Sequence, residues 1–332
     1  MRDIPDGAFA GWEPPDYRVD TEGKVVGATP GEPNNWRRWG DNDQIGTANL
    51  LSAERVAAAA ALVKTGKRFS LALPIGLPTP GGYRSEPLHF YGMAAGDAVL
   101  GGGRGGAAFP TSDDYIVMAL QASTQIDGFG HVGGDGTLYN GYWAGLVTAS
   151  SRAQRLGIHK LASGIVGRAV VLDVARHLGV EHVEVGFGIG PDELDGAAAA
   201  HGVDVRAGDI VLVHTGHLEW KRNLRASDPD ARTRHEPGIS MRAIPWLHDH
   251  DVAMIATDTA ACQVVPAENG APFLTWHVAA LRDLGLLVGE LFDLRELAQD
   301  CATDGVHEGF FVAAPLPVVG GSGSPLNPIV MK

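Results

Sequence analysis

The sequence predicts an α/β fold, in which buried strands alternate with helices around one core. Apolar runs with the length of buried strands occur within residues 115–120, 168–175, 208–217, 252–256 and 286–290. Helix start and stop signals bracket other segments, at residues 52–65, 191–202, 241–250 and 275–285. With 45% hydrophobic residues among 332, the chain is long enough to bury a large core. Since no repeat or clean boundary divides it, we expect a single domain over residues 34–332.

Composition excludes several classes of partner. The net charge of −13 argues against binding to nucleic acid or to an anionic membrane surface. Two cysteines are too few for a disulfide scaffold, which favours a reducing compartment. No apolar segment resembles a secretory signal or approaches the roughly 20 residues that a membrane span needs. The sequence therefore predicts a soluble, cytoplasmic protein.

The N-terminal region is predicted to be an extended arm over residues 1–33, because it is rich in Pro, Gly and charge without any period. Such an arm either stays mobile or wraps a neighbouring subunit. A helix is predicted to begin at Ser52 and to run to about Thr65, with Gly66 as its cap. Just before it, Asn49 is a candidate substrate contact, although a packing role for this tryptophan-containing segment is the simpler interpretation.

The next region predicts a strand over residues 69–75 and then a proline-rich loop. His89 follows, and with its aromatic neighbours it is a candidate for one wall of a pocket; a structural role is the alternative. Residues 101–106 satisfy the Gly-x-Gly-x-x-Gly pattern literally. No helix follows them, so we reject nucleotide binding and interpret the segment as a mobile loop beside the site.

The most informative stretch follows the apolar run at residues 115–120, which predicts a buried strand leading into a glycine-rich loop. Asp127 and His131 lie four residues apart there, a spacing that suits a metal ligand beside a general base. Tyr142 and Trp143 come soon after and suit an aromatic or planar substrate, unless they are ordinary loop anchors.

Two pairs of possible metal ligands in the second half of the chain lead to different predictions. His214 and His217 lie three apart on a predicted strand, so their side chains point to opposite faces and do not ligate one ion together. By contrast, His277 lies on a predicted helix and Glu290 ends the next strand. A helix and the end of a following strand can deliver these two side chains to a common point.

Residues 121–131 resemble the signature motif of the cyclase family of metal-dependent hydrolases, which includes kynurenine formamidases and isatin hydrolases. That motif reads His-x-Gly-Thr-His-x-Asp-x-Pro-x-His. Thr124, Asp127 and His131 match it, whereas Gln121 and Gln125 stand at its first two histidine positions. The segments around residues 36–51, 167–173, 277–290 and 315–328 are also similar to those of the family's longer members, so the resemblance runs from about residue 36 to residue 332.

The resemblance implies a swivelling β/β/α domain with a mostly β core and outer helices. It implies that Asp127, His277 and Glu290 hold one divalent ion, Mn²⁺ or Zn²⁺, to which the Gln125 carbonyl adds a weak, hard ligand favouring Mn²⁺. It also implies His131 as general base and acid, and a homodimer or homotetramer in which the arm exchanges between subunits.

The predicted function is hydrolysis of an amide, lactam, imide or lactone in a small cyclic or aryl-linked substrate, as by an amidohydrolase or lactamase. Alternatives are a metal-independent acid–base isomerase or lyase that uses His131 and Asp127, and a non-catalytic protein that binds a small molecule. The candidate substrate contacts surround the motif and its flanking segments: Gln121, Phe129, Tyr142, Trp143, Asn49 and His89.

Overall fold

The computed structural model describes residues 16–76, 84–100, 110–227 and 234–332. The strands are β1 (Arg68–Ser70), β2 (Leu88–Met93), β3 (Asp113–Val117), β4 (Gln125–Asp127), β5 (Val147–Thr148), β6 (Arg152–Ala153), β7 (Ile165–Asp173), β8 (Gly188–Ile189), β9 (Ile210–His214), β10 (Gly238–Ile239), β11 (Met254–Thr257), β12 (Leu287–Glu290), β13 (Glu308–Ala313), β14 (Gly323–Pro325) and β15 (Ile329–Met331). The helices are α1 (Ala53–Ala60), α2 (Ala95–Val99), α3 (Val174–His177), α4 (Pro191–His201), α5 (His217–Ser227), α6 (Ala243–Asp249), α7 (Thr275–His277) and α8 (Arg295–Asp304). Short 3₁₀ turns and one π-helix, Val278–Asp283, join them.

A nine-stranded sheet dominates the described residues, in the order β1, β15, β13, β7, β9, β11, β12, β4, β14. Its four central strands, β7, β9, β11 and β12, run parallel, and the flanking strands are antiparallel. The carboxyl ends of the parallel strands therefore meet along one edge, where ligands bind in sheets of this kind. The α/β prediction is confirmed.

The core consists mainly of the central strands and the helices that cover them. Side chains on both faces of β7, β9 and β11 are buried, as expected for parallel strands covered on both sides. Short apolar runs in the sequence, with few polar interruptions, therefore predicted the positions of these three strands. Within the described residues, no helix combines the length and apolar character that a membrane span requires.

The capping signals in the sequence predict the start of α1 and the end of α4 correctly, but not the end of α1. Helix α1 begins after Ser52, whose side chain accepts a hydrogen bond from the Arg55 N–H, as predicted. It ends at Ala60 rather than near Thr65, because the chain turns there and the N–H groups of Thr65 and Gly66 donate to the Lys332 carbonyl. Helix α4 ends where predicted, at Gly202 in the left-handed conformation with φ of 62°.

The prediction of a buried strand at residues 115–120 was wrong. That run contributes β3, which pairs with β2 in a separate two-stranded hairpin whose side chains are exposed. Length and composition alone do not distinguish a buried strand from an exposed apolar hairpin. The strand that delivers the motif is the three-residue β4 instead. The glycine-rich residues 101–106 lie outside the described residues.

The described part of the N-terminal arm, residues 16–33, packs against its own chain. Val25 donates to the Gly141 carbonyl at 3.0 Å, and Gly31 donates to Asp283 Oδ1 at 3.1 Å. Immediately after the arm, the Trp36 indole donates to the Arg282 carbonyl at 2.6 Å, so Trp36 is a packing anchor. This part of the arm therefore neither hangs free nor extends away from the domain.

Candidate active site

Strand pairing assembles most of the candidate site. In the antiparallel ladder of β4 and β12, Gln125 lies opposite Glu290. Asp127 lies two residues further along β4, and alternate residues of a strand share a face. The intervening Ile126 points into the core and is fully buried. Gln125, Asp127 and Glu290 therefore project together from one face of the sheet.

His277 reaches the same point from the other side, at the end of α7 and immediately before the π-helix, a local irregularity that often marks functional sites. Its Nδ1 lies 2.6 Å from Oε1 of Gln263. The Gln263 amide nitrogen donates to the Phe273 carbonyl, which fixes the amide with its oxygen toward His277. The hydrogen of the neutral imidazole is thus on Nδ1, and Nε2 presents a lone pair to the carboxylates.

These side chains have the donors and spacing of a metal site. The ligand atoms of Asp127, His277 and Glu290 all lie within 4.8 Å of one another, and the three residues are buried. Both carboxylate oxygens of Asp127 and the Gln125 carbonyl oxygen are buried without a hydrogen-bond partner. Buried oxygens normally have partners, so a cation is the missing element that this donor set fits. Two carboxylates, one imidazole and an amide oxygen suit Zn²⁺ or Mn²⁺.

The contact between His277 and Glu290 also indicates a bound cation. His277 Nε2 lies 3.3 Å from Glu290 Oε1. With the imidazole hydrogen on Nδ1, both facing atoms are acceptors, so a positive charge or a proton must lie between them. The second Glu290 oxygen, Oε2, accepts a hydrogen bond from the Gln125 amide nitrogen, which leaves Oε1 as the free ligand atom.

Burial changes the protonation of every group in the cluster. Desolvation raises the pKa of Glu290 to about 8. Desolvation and the nearby Glu290 charge raise the pKa of Asp127 to about 6. Desolvation lowers the pKa of His277 and of His131 below the ordinary histidine value. Without a cation, the site therefore retains protons on its carboxyl groups that free carboxylates would lose.

His131 lies at the open side of this cluster. Its Nε2 is 3.7 Å from Asp127 Oδ1, and 25% of its side chain is exposed, compared with 1% for Asp127. Gln121 lies beside it, with its amide nitrogen 3.5 Å from His131 Nδ1 and 3.0 Å from the Ser322 hydroxyl. His131 is thus the titratable group of the cluster that a substrate can reach most easily.

Three further features were not predicted from the sequence. Gln263 orients His277, and no local pattern signals it. Arg84, which follows the proline-rich segment, acts electrostatically on Asp127, His131, His277 and Glu290. A buried ion pair between Lys221 and Glu236 places a further charged group close enough to raise the pKa of Glu290. Each depends on long-range packing rather than on spacing along the chain.

The structure brings together Gln121, Gln125, Asp127, His131, His277 and Glu290. It gives the other predicted contacts different partners. Asn49 donates to Asp43 and to the Gly46 carbonyl, and His89 pairs with Asp114 on the exposed hairpin. Phe129 packs against Tyr139 in the core, with ring centroids 5.1 Å apart.

The two aromatic residues after the motif contact the N-terminal arm. Lys24 lies over the Tyr142 ring, 4.9 Å from its centroid, and Trp143 donates to the Tyr17 hydroxyl at 2.8 Å. A role as loop anchors accounts for both contacts. Direct substrate contact by either residue stays a prediction.

An α/β sheet with a buried carboxylate–histidine cluster at its parallel-strand edge defines the class of protein. Residues 47–264 match the sequence model of the Cyclase family, and the chain belongs to that family. The crystal structure of a novel cyclase is 38% identical, with a TM-score of 0.83 over 90% of this chain and 99% of that one. The swivelling fold that the resemblance implied is thereby confirmed.

More distant solved structures share the fold. Isatin hydrolase A from Labrenzia aggregata, bound to benzyl benzoate, is 20% identical with a TM-score of 0.55, over 86% of this chain and 99% of that one. An isatin hydrolase bound to the product analogue thioisatinate is 18% identical with a TM-score of 0.55, over 85% and 100%. No curated protein matches the chain in sequence.

Proposed function

We propose that the protein is a metal-dependent hydrolase of a cyclic or aryl-linked amide, lactam, imide or lactone. The observation that carries this proposal is the buried cluster of Asp127, His277 and Glu290, whose ligand atoms lie within 4.8 Å of one another. The oxygens of Asp127 and Gln125 support it, because they are buried without hydrogen-bond partners and a bound cation would satisfy them.

Gln125 through Oε1, Asp127 through its carboxylate, His277 through Nε2 and Glu290 through Oε1 would hold one divalent ion. When bound, Mn²⁺ or Zn²⁺ polarises a carbonyl group and lowers the pKa of water. Gln263 keeps the His277 hydrogen on Nδ1 and so keeps Nε2 available as a ligand. Gln125 also ties Glu290 in place through its amide nitrogen.

His131 supplies the proton transfer. Because burial lowers its pKa, the imidazole is neutral near pH 7 and is able to accept a proton from an attacking water. Its Nε2 faces Asp127, which stabilises the imidazolium that forms. The same atom then returns the proton to the leaving nitrogen or oxygen of the opened substrate.

The names of solved relatives with the same fold support the proposed substrate class. An isatin hydrolase is, by its name, a hydrolase of isatin, and a relative of that kind was solved with thioisatinate, a product analogue. We infer that this chain also opens a small ring that carries a polarisable carbonyl. The sequence changes at Gln121 and Gln125 argue for a substrate and a metal environment that differ from those of relatives with histidines there.

Metal content tests the proposal directly. Protein purified without added metal or chelator should contain about one Mn or Zn per chain more than the Asp127→Asn variant, measured by plasma mass spectrometry. Asp127→Asn should lose that ion, whereas Asp204→Asn, at an aspartate with an 86% exposed side chain, should retain it. Turnover of a panel of lactones, lactams, imides and aryl amides should follow the metal content. A folded protein that binds neither ion at this cluster overturns the mechanism.

A metal-independent acid–base isomerase or lyase is the second candidate. It is favoured by the raised pKa of Glu290, about 8, which keeps this carboxyl protonated at neutral pH and able to act as a general acid. Full turnover after treatment with a chelator would support this metal-independent function. Absence of turnover with and without metal, together with binding of a panel compound, would select a small-molecule binding protein.

We also propose that the chain forms a homodimer or homotetramer through the hairpin of β2 and β3. Large apolar side chains are exposed on both of its strands, among them Leu88, Phe90, Tyr115 and Val117. An isolated two-stranded hairpin is marginally stable in water, and exposed apolar patches of this kind mark interaction sites. Light scattering should give two or four chains for the wild type and a smaller assembly for Phe90→Ser/Val117→Ser.

A further inference from the structure

A second group of ligand-type side chains lies apart from the candidate active site. His214 ends β9, Asp258 directly follows β11, and Glu219 lies in the first turns of α5. One ligand atom from each lies within 4.8 Å of the others. We propose that these three residues form a second divalent-cation site, with Mn²⁺ or Zn²⁺ as its occupant. This inference is independent of the proposed hydrolase function.

The unsatisfied atoms of this cluster carry the proposal. Asp258 is 1% exposed, and its Oδ2 has no hydrogen-bond partner. Its other oxygen, Oδ1, accepts hydrogen bonds from the Thr215 N–H at 2.9 Å and the Thr215 hydroxyl at 2.7 Å, so the carboxylate is held with Oδ2 free. His214 Nε2 and both oxygens of Glu219 are buried and also lack hydrogen-bond partners. Four unpartnered ligand atoms in one place call for a cation.

The histidine is oriented for ligation by a third carboxylate. His214 Nδ1 lies 2.9 Å from Asp173 Oδ1, and Asp173 and His214 are direct neighbours in the register of β7 and β9. The Nδ1 hydrogen therefore goes to Asp173, and Nε2 faces Glu219 at 3.7 Å from Oε2. This carboxylate–histidine arrangement is the usual support of a metal-ligating imidazole.

Charge balance favours an ion over a bare cluster. Three carboxylates, those of Asp173, Glu219 and Asp258, surround one imidazole, and Arg176 pairs with Asp173 at 3.2 Å. Even with His214 protonated, these groups carry an excess of negative charge.

The cluster lies on the same sheet edge as the candidate active site. His214 and its neighbour Asp173 line a surface cleft of about 510 Å³, so the histidine side of the cluster lies close to the surface. Asp258 lies between Thr257 and Thr259, whose carbonyls accept hydrogen bonds from Phe292 and Leu291, just after Glu290. An ion bound by this cluster would link the end of β11 to α5 and would stabilise the segment that follows β12.

Native mass spectrometry of chelator-treated protein titrated with ZnCl₂ tests the inference, and a parallel Mn²⁺ titration by electron paramagnetic resonance checks it. The wild type should bind two ions per chain. Glu219→Gln and His277→Gln should each bind one, and the double variant should bind none. Glu219→Gln is nearly isosteric and relieves repulsion in the metal-free cluster, so it should fold. His248→Gln, a change beside the exposed Asp249, is the matched control and should keep two ions.

The pattern of losses separates this inference from the proposed function. The wild type could bind a single ion that is retained in His277→Gln and lost in Glu219→Gln. That result would support the second site and contradict the metal-dependent hydrolase. One ion lost only in His277→Gln overturns the second site and leaves the hydrolase intact. In addition, Asp173→Asn should weaken the second ion roughly 10- to 100-fold. Unchanged affinity in that variant contradicts the orientation assigned to His214.

Discussion

His277 Nδ1 lies 2.6 Å from Oε1 of Gln263, and this single contact decides which nitrogen of the histidine faces the candidate metal site. Gln263→Leu should therefore weaken Mn²⁺ binding at the Asp127 cluster by roughly 10- to 100-fold, since the tautomer and ring orientation are lost. Isothermal titration of metal-free protein measures the effect. Gln263→Glu keeps an acceptor for Nδ1–H and should restore most of the affinity. Equal affinities for all three proteins would refute this role.

The raised pKa of Glu290 predicts how stability changes with pH in metal-free protein. Its pKa is about 8 in the folded chain, above the ordinary value of 4.5, so the folded state holds a proton that the unfolded state has lost. This group's contribution to stability is present below about pH 4.5 and is lost as the pH rises toward 8. Each unit of difference between the folded and unfolded pKa corresponds to about 1.4 kcal/mol.

Glu290→Gln should remove that dependence. The free energy of unfolding of the variant, relative to wild type, should rise between pH 4.5 and pH 8 in the absence of metal, as measured by urea denaturation. Saturating Mn²⁺ should abolish the advantage, because the ion stabilises the wild-type carboxylate. Glu296→Gln, at a glutamate with a 78% exposed side chain, is the control and should show no such trend. A flat difference for Glu290→Gln would rule out the buried-acid account.

His131→Asn should separate proton transfer from metal binding. His131 lies 3.7 Å from Asp127 but outside the ligand cluster, so the variant should keep its metal content. Turnover of a substrate found in the panel should fall by roughly 10²- to 10⁴-fold. In the wild type, turnover should decline as acid protonates His131, and this limb of the pH profile should vanish in the variant. Retained turnover would assign the proton transfer to another group.

Gly46 is predicted to be a steric requirement of the fold near Tyr139. A Cβ atom at Gly46 would lie 2.1 Å from the Gly285 carbonyl oxygen, and its φ is +53°. Gly46→Ala should destabilise the protein by roughly 2–4 kcal/mol in thermal or urea unfolding. Gly66→Ala isolates the backbone contribution, because Gly66 has φ of +77° but open space around it. Its cost should be about 1 kcal/mol, and equal losses would contradict the steric argument.

The sequence predicted those parts of the fold and the site that depend on local patterns. Buried apolar runs located β7, β9 and β11, and capping residues located the start of α1 and the end of α4. The sequence predicted that His277 and Glu290 can converge, because a helix leads into a strand there. In the structure, His277 Nε2 lies 3.3 Å from Glu290 Oε1. The buried strand at residues 115–120 was wrong, because an exposed hairpin and a buried strand have similar apolar runs.

Features that depend on long-range contacts were not predictable in the same way. Gln263 and Arg84 contribute to the site through tertiary placement, and nothing in their neighbourhoods marks them. The prediction that His214 and His217 share a strand was wrong, because β9 ends at His214 and α5 begins at His217. The partners of His214 are Glu219, from that helix, and Asp258, which follows a neighbouring strand. Only the register of the sheet, which places strand ends side by side, brings them together.

In the parallel centre of the sheet, the residues that form the core and the residues of the two candidate sites occupy different parts of each strand. Asp173, His214, Asp258 and Glu290 lie at or just beyond successive strand ends, whereas the strand interiors are apolar. An engineer who seeks a new specificity can therefore keep these four residues and the strand interiors constant and randomise the loop positions that follow the strand ends. Libraries built on that boundary should retain folded members at a high frequency, and they make the scaffold a practical starting point for directed evolution.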